Sequence, residues 1–190
     1  MGLDLTVAQG SLLAAGPDLL DPNFARAVVL MCQHAPQGAY GLVINRPSEY
    51  KASDVLTGHE LLKSSNLRVF IGGPVSLDGL QILHRVPQLI GGGVPIAEDL
   101  WIGGDLEAVG RYALDEPEAA ARNVRLFVGY SGWGAGQLDI ELATGSWLPV
   151  PGDTERVFQL DTTGVWKDVV SSLGGDYKRV ASEPPDPRVN

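Results

Sequence analysis

The sequence predicts an α+β fold built on a mixed, mostly antiparallel sheet with helices inserted between its strands. Three observations support this. Short apolar runs with period-two alternation recur along the chain, and several are joined by Pro- and Gly-containing stretches of hairpin length. Separate stretches carry apolar residues at helical spacing, and 24 glycines with 13 prolines in 190 residues suit many short elements better than a helical bundle. Strands joined by hairpins pair antiparallel, because parallel pairing needs a long crossover.

Leu12, Leu13, Ala14 and Ala15 form the first strand, closed by Gly16 and Pro17, and residues 21–24 make a turn. Residues 27–32, A-V-V-L-M-C, are uninterruptedly apolar, the pattern of a strand buried on both faces. Residues 40–45 are its partner across a loop at 34–38. Pro47 holds Arg46 extended, so the guanidinium projects from the strand end, where it suits a carboxylate, a phosphate or a structural ion pair. Ser53 and Asp54 offer an N-cap for a helix reaching Lys63, with Val55, Leu56, Leu61 and Leu62 apolar. Residues 69–71 form a short strand that runs into a turn at Gly72, Gly73 and Pro74. A strand over 80–86 returns, with Leu80, Ile82, His84 and Val86 on one face. After the connection Gly91-Gly92-Gly93, residues 100–102 form another strand. Asp105 caps a helix carrying Leu106, Val109, Ala113 and Leu114, and Asp115, Glu116 and Pro117 stop or restart it.

The stretch over 127–142, F-V-G-Y-S-G-W-G-A-G-Q-L-D-I-E-L, reads as the organising element. Val124, Leu126 and Val128 alternate with Arg125 and Phe127 as a strand. Gly129, Gly132, Gly134 and Gly136 are expected to reverse the chain around Tyr130 and Trp133, leading into a helix with Gln137, Leu138, Glu141 and Leu142 and a cap at Gly145. Such a turn points free N–H groups at an anion, but its spacing matches neither G-x-G-x-x-G nor the P-loop, and no Lys follows. Gly129 to Trp133 begins like a G-x-S-x-G elbow around Ser131, and Trp133 breaks it, because the last position must be small. Beyond it, strands are expected at 147–150 and 157–160. An amphipathic helix follows over 163–173, with Val165, Trp166, Val169, Val170 and Leu173 inward and Gly174 at its end. One domain is expected over 1–177, with an irregular tail over 178–190.

The formal net charge of -9 disfavours non-specific nucleic-acid binding, since such a field repels phosphate backbones. Cys32 stands alone, which rules out an internal disulfide and suits an inert buried thiol. The first basic residue is Arg26, so no export signal is expected, and no apolar run approaches the roughly 18 residues of a membrane span. The expected location is cytoplasmic, away from the membrane. None of the 3 histidines has ligand spacing with another or with Cys32, so neither a metal nor a cofactor is expected.

Several ordered motifs resemble the YqgE/AlgH family of bacterial proteins: Gly10-Ser11-Leu12-Leu13, Asp21-Pro22-Asn23-Phe24, residues 38–47 (G-A-Y-G-L-V-I-N-R-P), Gly72-Gly73-Pro74-Val75, Gly103-Gly104-Asp105-Leu106, Gly129-Tyr130-Ser131-Gly132-Trp133 and Gly136-Gln137-Leu138. The ending Asp186-Pro187-Arg188-Val189-Asn190 is similar to that family's D-P-S-L-N. The resemblance implies a bifurcated sheet curled into a pseudo-barrel with helices packed around it, and a family whose biochemical role is not established. Some members are described as transcriptional regulators. The family commonly has Ala where this chain has Ser131, which weakens any nucleophile role.

Two functions compete. The first is a non-enzymatic binding or regulatory protein holding a protein partner or a small anionic ligand, with Asn45, Arg46, His84, Tyr130, Trp133 and Gln137 as the candidate site. The second is a hydrolase or transferase using His34 or His84 as general base, oriented by Glu141 or Asp105.

Overall fold

A computed structural model describes residues 6–56 and 58–184, so the terminal match at 186–190 lies outside the described residues. In chain order the strands are β1 (Leu12–Ala15), β2 (Val28–Ala35), β3 (Gly38–Val43), β4 (Pro47–Lys51), β5 (Arg68–Ile71), β6 (Val75–His84), β7 (Gly93–Ala97), β8 (Leu100–Gly103), β9 (Val124–Gly134) and β10 (Trp147–Val150). The helices are α1 (Ala52–Val55), α2 (Glu60–Lys63), α3 (Leu106–Asp115), α4 (Pro117–Asn123), α5 (Gln137–Ala143), α6 (Thr154–Val157), α7 (Val165–Ser172) and α8 (Gly175–Val180). The strands form one 10-stranded sheet in the order β10-β1-β2-β3-β9-β6-β8-β7, with β5 and then β4 branching from β9. The sheet curls into a half-barrel with the helices packed around it, an α+β architecture. Among the described pairings only β5 with β9 is parallel.

β9 corrects the central expectation. Residues 129–134 are not a reversal: the strand runs straight through them, and Ser131, Gly132, Trp133 and Gly134 pair with Gly41, Tyr40, Ala39 and Gly38 of β3. The backbone ladder supplied by a distant strand outweighs the local freedom of the glycines, and the chain turns only at Ala135 and Gly136. Along one edge β9 pairs first with β5, through Leu126, Phe127 and Val128, and then with β3 from Ser131 onward. Gly129, at φ +69°, stands at the handover. The other edge pairs with β6.

Alternation along β9 feeds two cores. Val124, Leu126 and Val128 join Val69, Ile82, Val109 and Tyr112, covered by α3 and α4. Phe127 joins Phe70 and Leu83 in the larger core with Trp133, Trp147, Trp166 and the apolar faces of α5 and α7. Each fully buried Leu, Val or Phe contributes about 1.5–3 kcal/mol, so these two faces dominate stability.

Other differences have local causes. The helix expected up to Lys63 is two short ones: Asp54 Oδ2 accepts the Lys51 N–H at 2.7 Å to start α1, and Gly58, at φ +92°, stands between it and α2. The strand expected at 157–160 is absent, because Asp153 accepts the Arg156 N–H and caps α6 instead. Val157 and Phe158 are buried as their apolarity demands. β4 and β7 contain Pro47 and Pro95 and lie on sheet borders, where proline is tolerated and apolar alternation is not required. α4 restarts at Pro117, and α8 carries helix through Val180, past the expected start of the irregular tail.

Gly73 tests the close packing beneath β9. Its φ is +153°, and an added Cβ would lie 2.2 Å from the Tyr130 carbonyl. Gly73→Ala should cost about 3 kcal/mol in urea unfolding. Gly136→Ala, where φ is +72° and the surrounding space is open, should cost only about 1 kcal/mol.

Candidate functional site

The six expected site residues fall in separate environments. Asn45 is structural: its Oδ1 accepts the Val28 N–H at 2.8 Å and its Nδ2 donates to the Arg26 carbonyl at 2.9 Å. Arg26 sits at φ +56°, so this amide fastens an unfavourable backbone conformation and is not free for a ligand.

Arg46 differs. Its Nη2 donates to the Ala25 carbonyl at 2.8 Å, its Nε is buried without a partner, and none of the ion pairs among the described residues includes it. Burial lowers its pKa while Asp21 opposes the shift. A cavity of about 270 Å³ opens beside it, lined by Asn23, Val43, Ile71, Gly73, Pro74 and Leu77 as well as Arg46. None of the other five candidates lines this cavity.

Trp133 and Gln137 come together around an acid. Glu141 Oε2 accepts the indole N–H of Trp133 and that of Trp147, each at 2.8 Å, and Oε1 accepts from Gln137 Nε2 at 2.8 Å. Gln137 Oε1 accepts the Gly134 N–H at 3.0 Å, which ties the start of α5 to the end of β9. Glu141 is therefore committed to the two indoles and is not poised to orient a histidine. Tyr130 packs edge-on against Tyr40, ring centroids 5.3 Å apart. Burial, then Cys32 and Tyr130, push the Tyr40 pKa up.

His84 lies under β7 and β8, fully buried and stacked on Trp101, with no hydrogen bond at either ring nitrogen. Burial lowers its pKa. Asp105, one of the two acids expected to orient a histidine, instead caps α3 by accepting the Glu107 and Ala108 N–H groups. His34 has a different acid near it: its Nδ1 lies 3.0 Å from the Val7 carbonyl and its Nε2 4.0 Å from Asp139 Oδ1, beside a cavity of about 400 Å³. Ser131 is buried and donates to the Gly72 carbonyl at 3.0 Å, and burial pushes the Cys32 thiol up to about 12, so neither is an activated nucleophile. Among the described residues no group of three His, Cys, Asp or Glu could hold a metal ion, and no helix is long and apolar enough to cross a membrane.

Sequence reasoning missed Asn23 and Asp139. Asn23 was visible as a turn residue, but its nearness to Arg46 needs the fold. Asp139 was visible as a polar position on α5, but its pairing with His34 depends on β3 lying beside β9.

A family profile described as AlgH-like matches residues 12–178. The chain belongs to the AlgH-like family. A UPF0301 protein of Chlorobaculum tepidum is 38% identical over 181 residues, covering 95% of each chain. A UPF0301 protein of Cytophaga hutchinsonii is 37% identical over 185 residues, covering 97% of this chain and 100% of that one. The solution structure of the AlgH protein from Pseudomonas aeruginosa is similar at TM-score 0.69 and 27% identity, over 98% of this AlgH-like chain and 99% of the other. A crystal structure from Corynebacterium diphtheriae shares the fold at TM-score 0.72 and 21% identity, over 96% and 95%.

Glu141→Leu strands two indole N–H groups in the core and should cost about 3 kcal/mol in thermal unfolding, with a change in tryptophan fluorescence. His84 sets a pH dependence. Its folded pKa lies below its ordinary 6.5, so below that value the unfolded chain binds a proton that the folded chain refuses. The His84 contribution to stability is therefore intact above about pH 7 and declines as pH falls through 6.5, by at most about 1.4 kcal/mol per pH unit. Urea midpoints measured from about pH 7.5 to about pH 5.5 should fall less steeply for His84→Leu than for the wild type.

Proposed function

We propose that this AlgH-like protein is a non-enzymatic binding protein that holds a small anionic ligand against Arg46. The reading rests on one observation: a half-buried guanidinium, fixed by the Ala25 carbonyl and forming no ion pair among the described residues although the Asp21 charge acts on it, at the wall of a cavity of about 270 Å³. A planar fork of donors suits a carboxylate or phosphate group. Val43, Ile71, Pro74 and Leu77 supply an apolar wall for the ligand's body, and Asn23 a polar contact. The volume is at the low end for ligand pockets, which points to a small molecule. Of the six sequence candidates, this reading uses Arg46 alone as a ligand contact and treats Asn45, Trp133 and Gln137 as its scaffold. A regulatory role would act through the ligand or a protein partner, since a net charge of -9 opposes direct contact with DNA.

A hydrolase or transferase reading is supported by His34 near Asp139 at the cavity of about 400 Å³. The residues lining that cavity include no Ser, Thr, Cys, Tyr or Lys, so any nucleophile would have to come from a substrate or water.

Small carboxylates, phosphosugars and nucleotides screened by thermal shift should include a ligand that raises Tm by about 3 °C or more. Arg46→Ala should abolish that rise, and Arg46→Lys should weaken it because the charge remains and the fork does not. If no anion produces a rise that Arg46→Ala removes, the binding reading fails.

A further inference from the structure

Arg125 is the buried charge that the fold leaves unneutralised. It shares the Phe127 face of β9, is 4% exposed, and lays its guanidinium 4.3 Å from the centroid of the Phe70 ring. Its Nη2 donates to the Gln159 carbonyl, while Nε is buried without a partner. Burial, with the like charge of Arg68 beside it, pushes its pKa down to about 10, which leaves it cationic at neutral pH.

The sheet register then places two more cations beside it. Val69 pairs with Leu126, so Arg68 and Arg125, each one residue earlier, stand side by side on β5 and β9. Lys51 of β4 is directly opposite Arg68. Residues side by side on neighbouring strands share a face, so the three cations form a row across β4, β5 and β9. Arg68 and Lys51 are exposed, Arg125 closes the inner end, and none of the three forms an ion pair with a carboxylate among the described residues. Like charges directly opposite on a sheet are destabilising, and so is a buried charge left without a counter-charge. In a chain of net charge -9, acids to neutralise the row were plentiful and were placed elsewhere.

We propose that Lys51, Arg68 and Arg125 form a binding site for a phosphoryl oxyanion, separate from the Arg46 cavity. The Phe70 ring and the Gln159 carbonyl hold the Arg125 plane in place, so little ordering is needed on binding. Arg68 supplies a second fork from solvent, and Lys51 a point charge at the outer end.

The test uses the full chain carrying Arg46→Ala, so that its outcome does not depend on the other cavity. Inorganic phosphate titrated against chloride at matched ionic strength should raise Tm selectively. Adding Arg68→Ala should weaken the apparent phosphate Kd about tenfold, and adding Lys51→Ala about threefold. Both residues are exposed, so neither change should prevent folding. Arg125→Met should abolish the phosphate response whether it raises or lowers the baseline Tm; if that variant does not fold, the Arg68 and Lys51 variants decide. A phosphate effect no larger than that of chloride, or one unchanged by Arg68→Ala, overturns the proposal.

Discussion

One edge of β9 must serve two strands. β5 occupies it from Leu126 to Val128 and β3 from Ser131 to Gly134, and two strands cannot lie against the same edge at the same residue. The register therefore has to change hands near Gly129, and the remaining architecture depends on this. β3 and β5 diverge there, the sheet splits and curls, and the Val43 N–H reaches the Gly72 carbonyl while the Gly72 N–H reaches that of Val128. The Arg46 cavity lies at this fork: Val43 ends β3, Ile71 ends β5, and Gly73 and Pro74 follow. The second half of β9 also delivers Gly134 to the start of α5, which brings Glu141 beneath the indoles of Trp133 and Trp147.

The polar chemistry divides into satisfied and unsatisfied groups. Asn45, Gln137, Glu141, Asp105 and Ser131 each spend their hydrogen-bonding capacity on the fold. Arg46 and Arg125 do not, since each fastens one nitrogen to a backbone carbonyl and leaves Nε buried and unpartnered. These two guanidiniums in an acidic chain are the ones on which the proposed anion sites rest. His84 is also unpartnered, but it titrates away its charge and costs far less when buried neutral.

Legibility followed the physics of each segment. β1, β8, β10, α3, α5 and α7 were readable because their apolar period, caps and terminal glycines agree with their tertiary surroundings. Residues 129–134 were misread because glycine permits either a turn or a strand, and only β3, some 90 residues earlier, selects the strand. At 157–160 a strand was expected where α6 and a turn stand, as the cap at Asp153 was not weighed against an apolar run too short to show a period. At the site, Arg46 was read as a cation projecting from a strand end and is half-buried with Nη2 on the Ala25 carbonyl, and Asn45 was taken for an open group although its amide is tied to Arg26 and Val28.

The sequence by itself determined the α+β class, the positions of the apolar segments and the acidic charge, because hydrophobic period, caps and ionisable groups are properties of short segments. Tertiary structure alone decided which strand β9 pairs with at each residue, and hence that Lys51, Arg68 and Arg125 line up and that Arg46 faces a cavity. Those outcomes depend on hydrogen-bond register between segments far apart in the chain, and register is set only when both partners are in place.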